Sequence, residues 1–374
     1  YGSVCRYAGD IGELMKTLEE CRVHIDQIDD EVITLLNRRM EIVRRVGEIK
    51  HESQSAIYRP EREKAIIDRL QKLSESASGM LNRQAIEAIF LEIFAVARNI
   101  ELPERIAYLG PEGSFTHQAA ESRFGAMSDY LSLSSIDAVF ATLETGRAKF
   151  GVVPIENSRD GVVGETLDLL GKSGVKIVAE LYMPIHMAFA TKAEKIHQIK
   201  RIYSKDKGFG QCRDFLAEHG LNVTEHIPVE STAKAAILAS KDPESAAICS
   251  HIAAKLYGVP TLFENIEDAH NNATRFFILS NFKNGISGED KTSILVRLKD
   301  AQESGALVHF LEDFNKAKIN LSKIESRPSR DEDGFGYWFF IDFIGHIDDE
   351  NVQNVLGKHQ EEVTWLGSYV KGEL

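Results

Sequence analysis

Read at alternating steps of four and three, the start of the chain carries an apolar seam through Leu14, Leu18, Cys21, Ile25, Ile28, Val32, Leu35, Arg39, Ile42, Val46 and Ile49, the stripe of one long helix. Arg39 alone breaks the seam, and an unpaired charge in a core is strongly disfavoured. Two further helices follow. YRPEREKAIIDRLQKL has Pro60 suited to a first helical turn, and NRQAIEAIFLEIFAVARNIE is closed by Pro103. Residues 12–103 thus read as an all-α domain.

Beyond Arg105 the periodicity changes. Short apolar runs such as RIAYLG, FGVVPIE, KIVAELY, IKRIYS and TRFFILS alternate with helix-like stretches such as STAKAAILASK, which marks residues 104–283 as an α/β domain long enough for two lobes. The polar stretch FKNGISGED reads as a linker. After it, TSILVRLK, ALVHFLEDFNKAK, LSKIESR, YWFFIDFIGH, VQNVLGKHQ and TWLGSY give the order βαββαβ, so residues 284–374 are expected to form an α+β ferredoxin-like unit.

The first helix, close to forty residues, spans roughly 60 Å and outruns its two short partners, so a second copy is expected to pack along it. Arg39 and Lys50 lie within about 20° of each other on its surface and can lean toward one ligand. Arg22 is roughly 25 Å from Arg39 along the axis and must serve another site, most simply the partner chain's. Two readings of Arg39 stand side by side: a ligand pocket, or a pairing with a buried acid such as Glu63 or Glu101.

Composition narrows the classes. With 374 residues the chain is too long for one ordinary domain, and its net charge of -13 argues against nucleic acid or an anionic membrane as a general partner. The four cysteines lack CxxC spacing, which suits reduced thiols in the cytoplasm, and no apolar run approaches membrane-spanning length. Residues 1–14 read as a tag remnant without function, with 1–11 outside the first domain. No metal-ligand cluster or phosphate-loop spacing is present, so neither metal nor other cofactor is expected.

The patterns ECRVHIDQID, LLNRRMEIVRRVGEIK, YRPERE and IELP resemble the small all-helical chorismate mutases across the whole first block, aligning cations and acids as well as apolar residues. The resemblance implies that Arg22, Arg39, Lys50, Arg62, Glu63 and Glu101 are active-site groups, with Arg22 reaching across a helical dimer. The chain departs from some members at Arg59, where they hold aspartate, and at Glu101, where they hold glutamine. Chorismate rearranges to prephenate in one unimolecular step, so the enzyme must hold a compact dianion with its ends together. A donor fixed at the ether oxygen, first Lys50, then a protonated Glu101, stabilises the charge that grows there.

In the second block, YLGPEGSFTHQAA places a glycine-rich turn between strand and helix, a weak anion-binding signal by itself. With PIENSRDGVVGETLDLL, VESTAKAA and NNATRFFIL it resembles prephenate dehydratase over residues 104–282. The likeness implies a two-lobed fold like that of periplasmic binding proteins, a catalytic hydroxyl at Thr274, and a cleft lined by Glu156, Asn157, Ser158, Thr166, Ser204, Gln211, Glu230 and Arg275. Without it, Thr274 is an ordinary strand former. Where many relatives have Ser-His-Pro-Gln after the Tyr203 position, this chain reads SKDKGFGQC, so Lys205, Asp206 and Lys207 depart from the pattern.

The third block resembles an ACT regulatory domain. GALV (Gly305, Ala306, Leu307, Val308) and ESRP (Glu325, Ser326, Arg327, Pro328) match phenylalanine-binding motifs of this class. The resemblance therefore implies a bifunctional enzyme, a homodimer or homotetramer, that makes phenylpyruvate from chorismate and is inhibited by L-phenylalanine. The rival is a non-catalytic amino-acid sensor derived from the same family. Retention of the basic and acidic set in the first block and of Thr274 favours the enzyme.

Overall fold

The computed structural model describes residues 17–53, 60–77, 79–101, 105–269, 271–299, 304–328 and 337–372. The expectations for residues 1–14, Arg59 and Pro103 fall outside these. The chain separates into two compact units, Tyr1–Glu104 with Arg123–Asp129, and Arg105–Ser122 with Tyr130–Leu374.

In the first unit, the seam forms α1 (Leu18–Ser53), followed by α2 (Pro60–Ser76) and α3 (Arg83–Glu101). Its 36 residues give α1 a length of about 54 Å. Helix α3 packs against both others, and the core is small: Ile67, Ile86 and Phe94, with Ile66, Leu70 and Phe90 against them. Gly47 allows the close approach of α1 to α3, since a Cβ there would lie 3.0 Å from the Cα and carbonyl oxygen of Glu101. The rest of the seam is uncovered. Leu18, Ile25, Ile28, Val32, Leu35, Ile42 and Ile49 are all exposed. Burying such a side chain is worth about 1.5–3 kcal/mol, so α1 carries a large unsatisfied demand for cover.

The second unit opens with β1 (Arg105–Leu109), α4 (Phe115–Phe124), β2 (Asp129–Leu133), α5 (Ile136–Glu144), β3 (Phe150–Asn157), β4 (Gly161–Val162), α6 (Gly164–Leu170) and β5 (Lys176–Pro184). A second lobe follows: β6 (Ala188–Thr191), β7 (Arg201–Ser204), α7 (Asp206–Gln211), α8 (Arg213–Glu218), β8 (Glu225–Pro228), α9 (Thr232–Lys241), β9 (Ser245–Cys249), α10 (His251–Leu256) and β10 (Thr261–Phe263). The chain then returns through β11 (Ala273–Ser280) into the first sheet. The sheets run β2-β1-β3-β11-β5, with β4 on β3, and β10-β6-β9-β7-β8, so two crossings join the lobes. Serine caps start several helices: Ser135, Ser231 and Ser250 accept from Ala138, Lys234 and Ala253 N–H respectively.

The C-terminal segment gives β12 (Asp290–Val296), α11 (Ala306–Lys316), β13 (Leu321–Pro328), β14 (Tyr337–Ile344), α12 (Glu350–Lys358) and β15 (Val363–Val370), with sheet order β13-β14-β12-β15. The elements follow the order βαββαβ, and the block shares a core with the first lobe. Every residue of β12 is buried. Ile294 and Val296 pack with Phe310 and Phe314 of α11, whereas Leu295, Trp338, Phe340 and Tyr369 join one core with Ile177, Leu167, Phe277 and Leu279 of the first lobe. The expected linker is likewise docked: Asn284 Nδ2 donates to the carbonyls of Val178 and Ser368, at 2.7 and 2.9 Å. Asn284 and Asp290 are buried in it, while Lys283 and Glu289 remain exposed.

Candidate active sites

In the helical unit, the parallel packing of α1 on α3 brings Arg39, Lys50 and Glu101 into one groove. Lys50 Nζ lies 2.8 Å from Glu101 Oε2, both side chains largely buried. Glu63 is held by Arg98 and, at 3.5 Å, by Arg123. Both acids considered as partners for Arg39 are therefore bound by other cations. The Arg39 guanidinium instead touches the Met40 sulfur and sits 6.0 Å from the centre of the Phe94 ring. Burial lowers its pKa, partly offset by the field of Glu101, so the charge is carried at a desolvation cost. Arg62 is exposed on the first turn of α2. Arg22 is exposed and pairs with Glu19 at 3.6 Å, apart from this groove as its position along α1 requires.

In the α/β unit, the paired strands β3 and β11 set Asn157 opposite Thr274 and Glu156 opposite Arg275. Successive side chains on a strand face opposite sides, so these are two different faces. On one, Asn157 Nδ2 lies 2.8 Å from Thr274 Oγ1 and 2.9 Å from Asn272 Oδ1. Thr274 and Asn272 are buried, beside the crossing where Ile185 N–H bonds the Asn272 carbonyl. Ser158 closes the same corner, donating to the Asn271 carbonyl and accepting from Ala273 N–H.

The other face corrects the expected cleft. Arg275 is bonded to Glu180 at 2.6 Å, Asp342 at 2.7 Å and the Tyr369 hydroxyl at 3.2 Å, all buried where the first lobe meets the C-terminal sheet. Lys291 completes the group at 2.6 Å from Glu180, and Glu156 pairs with Lys323 at 2.7 Å. Burial opposes the charge of Arg275, but Tyr369, Asp342 and Glu180 hold its pKa above the ordinary value. Burial pushes the nearby Tyr182 phenol up to about 12. Glu156 and Arg275 therefore tie two sheets together and do not share the face of Thr274. Glu180 and Asp342 carry in sequence the same signal as Arg39, a lone charge in an apolar run.

Other expected cleft residues have local roles. The Thr166 hydroxyl donates to the Pro154 carbonyl at 2.7 Å, and that of Ser204 to the Ile248 carbonyl at 3.1 Å; both residues are fully buried, so neither hydroxyl is turned to a cleft. Gln211 is half-buried, its carbonyl accepting from Asp268 N–H, and Glu230 is exposed, 3.9 Å from Lys234. The divergent run places Lys205 at the N-cap of α7, and Lys207 Nζ reaches Asp160 Oδ2 of the first lobe at 2.8 Å. Burial pushes the thiol of the adjacent Cys212 up to about 12, which makes it a packing residue.

The phenylalanine motifs lie on α11 and β13. Gly305 caps α11 with φ 93°, a left-handed conformation that favours glycine, and Val308 is exposed on the first turn. On β13, Glu325 pairs opposite Phe340 and Arg327 opposite Trp338, on the side facing the first lobe, where Arg327 reaches Asp168 at 3.2 Å. Arg327 is thus engaged within the chain, while Ser326 and Pro328 are exposed on the alternate face with Ile324.

Among the described residues no group of three His, Cys, Asp or Glu side chains is placed to hold a metal ion, and no helix is long and apolar enough to cross a membrane. One unit carries a charged cluster on its helices and the other a buried hydroxyl–amide pair in a lobed α/β fold, the parts of a multidomain enzyme. The chorismate mutase type II family pattern matches residues 21–102 and the prephenate dehydratase pattern residues 106–284. The chain is 40% identical over 364 residues to the bifunctional chorismate mutase/prephenate dehydratase of Aquifex aeolicus, covering 96% of this chain and 99% of that one. It is 38% identical over 351 residues to the enzyme of the same name from Neisseria gonorrhoeae, covering 92% and 94%. The crystal structure of prephenate dehydratase from Arthrobacter aurescens in complex with L-Phe superposes with a TM-score of 0.64 at 32% identity, covering 71% of this chain and 90% of that one. The chain belongs to the bifunctional chorismate mutase/prephenate dehydratase family, and its two catalytic domains serve phenylalanine biosynthesis.

Proposed function

We propose that the domains divide at 12–103, 104–283 and 284–374, and that the mutase site is completed by a second copy of the chain packing along α1. The observation that carries this is Arg39, a half-buried cation whose neighbouring acids are bound by other cations, on a helix whose seam is otherwise exposed. Arg39 and Arg62 bind the chorismate carboxylates, Arg22 enters from the partner, and Lys50 donates to the ether oxygen as its C–O bond breaks. That donor, held in place by Glu101 beforehand, stabilises the transition state more than the substrate. Glu63 holds the far side of the pocket.

Prephenate then binds between the two lobes, whose paired sheets and double crossing are of the periplasmic-binding-protein kind. Thr274 supplies the proton to the departing ring hydroxyl, Asn157 and Ser158 shape the corner around it, and Gln211 and Glu230 line the facing lobe. Carbon dioxide and hydroxide leave together, driven by aromatisation of the ring, to give phenylpyruvate. The C-terminal unit is an ACT domain that binds L-phenylalanine between subunits through the segments at Gly305–Val308 and Glu325–Pro328. In this reading the protein assembles through those two interfaces as a dimer or tetramer and acts in the cytoplasm.

One assay tests the reading. Purified protein is supplied with chorismate, and chorismate loss and phenylpyruvate appearance are followed together, with and without L-phenylalanine. Both reactions are expected, with the second suppressed by the amino acid. Chorismate left unchanged by folded protein would return the chain to the class of amino-acid sensors.

A further inference from the structure

The amide of Asn157 has only one orientation open to it. The backbone N–H groups of Arg159 and Asp160 both point at Oδ1, at 2.9 and 3.0 Å, and only an oxygen can accept them. Nδ2 must then be the atom facing Thr274, so the 2.8 Å contact is a donation from the amide to Thr274 Oγ1. The other hydrogen of Nδ2 is directed to Asn272 Oδ1 at 2.9 Å, with the Ala273 carbonyl at a longer 3.3 Å, so the two shortest contacts take the two hydrogens. A hydroxyl that accepts along one direction must aim its own proton along another, and the Thr274 hydroxyl donates to no group among the described residues. Two main-chain donors thus fix the amide, and the amide fixes the hydroxyl.

We infer that Asn157 is a positioning residue whose N–H, locked by the Arg159–Asp160 turn, forces the Thr274 hydroxyl to present its proton to prephenate. The inference rests on the assignment of Thr274 as proton donor. In the reaction, the ring C–O bond breaks with its electron pair leaving on oxygen, and the bond to the ring carboxylate breaks with its pair entering the ring. Carbon dioxide departs, and the leaving hydroxide takes the Thr274 proton to become water, that proton being restored from solvent. If Thr274 instead donated to Asn157, its proton would face the protein and not the leaving group.

Asn157→Asp is the discriminating substitution. The carboxylate still accepts from Arg159 and Asp160, so the turn persists, but at neutral pH its second oxygen can only accept and draws the Thr274 proton inward. Dehydratase kcat on added prephenate is expected to fall about a hundredfold near neutral pH with KM little changed, the size of a lost proton donor. As the pH drops through the pKa of the introduced carboxyl group, its protonated form donates again and kcat should recover, giving an acid limb that the wild type lacks. Asn157→Ala removes the donor without adding a charge and should lose about tenfold with no acid recovery. This second variant also serves if Asn157→Asp does not fold. Wild-type kcat in either folded variant, or an Asn157→Asp loss that is the same at every pH, overturns the inference. Thr274→Ala is assayed in parallel. A wild-type rate there would remove the proton-donor reading itself, whereas an inactive Thr274→Ala beside a fully active Asn157→Asp would remove only the positioning role.

Discussion

Arg39 and Arg275 both sit against phenylalanine rings in apolar surroundings, Arg39 6.0 Å from Phe94 and Arg275 4.8 Å from Phe277. Arg275 is met by two carboxylates and a phenol, while the acids near Arg39 are bound by Lys50 and by Arg98. A buried cation with its full complement of anions belongs to the scaffold, whereas Arg39, left short of them, is the one proposed to meet an anionic ligand. Sequence alone does not separate the two cases, since each is a lone arginine in an apolar frame. The partners decide.

The strongest way to break this contrast is Arg275→Met, which leaves Glu180 and Asp342 with one fewer cation in a buried site. Removing one partner of a buried ion pair costs about 3–5 kcal/mol, so the α/β unit should melt at clearly lower temperature while mutase turnover at low temperature persists. An unchanged melting curve would show that Lys291 alone neutralises the cluster. Arg39→Ala should do the reverse, lowering mutase kcat/KM by about a thousandfold with no loss of thermal stability and with prephenate still dehydrated. If folded Arg39→Ala turned chorismate over normally, the cation would be structural after all. Sharper still for the shared site, inactive Arg22→Ala and Lys50→Ala chains, mixed and allowed to exchange subunits, should regain part of the lost turnover. No recovery in verified mixed dimers would confine the site to one chain.

The smallest effect concerns an ionisable group that stays neutral. His117 is buried against Tyr108, its Nδ1 accepts from Gly113 N–H, and burial lowers its pKa below the ordinary imidazole value. The unfolded chain binds a proton near pH 6.5 while the folded chain still refuses it. This group's contribution is therefore complete above about pH 6.5 and is lost as the pH falls from there toward the folded value. Thermal melts of wild type and His117→Gln should differ more at pH 7.5 than at pH 5.5. A constant difference would mean that protonation is not what the site resists.

The elements were largely legible. The seam announced α1 and its break announced Arg39, and alternating apolar runs located most strands of the α/β unit. What escaped was direction. The triplet at Thr274, Arg275 and Phe276 reads as one motif, yet strand alternation sends Thr274 and Arg275 to opposite faces, and only the C-terminal sheet reveals what Arg275 meets. Glu156 and Asn157 divide in the same way. Thr166 and Ser204 escaped because a hydroxyl that satisfies a main-chain carbonyl looks, in sequence, like one that faces a substrate.

The core shared by Phe277, Leu279, Trp338, Phe340 and Tyr369 bears on heredity as much as on structure. A gene cut after residue 283 would encode strands whose outer face is bare hydrocarbon with Glu180 and Arg275 open to water, so the last ninety residues cannot be shed without repair elsewhere. If the C-terminal unit senses phenylalanine as proposed, feedback control built on such a segment is hard to lose by truncation. Escape from it would come through point changes that spare the core, at exposed positions such as Val308 or Ser326.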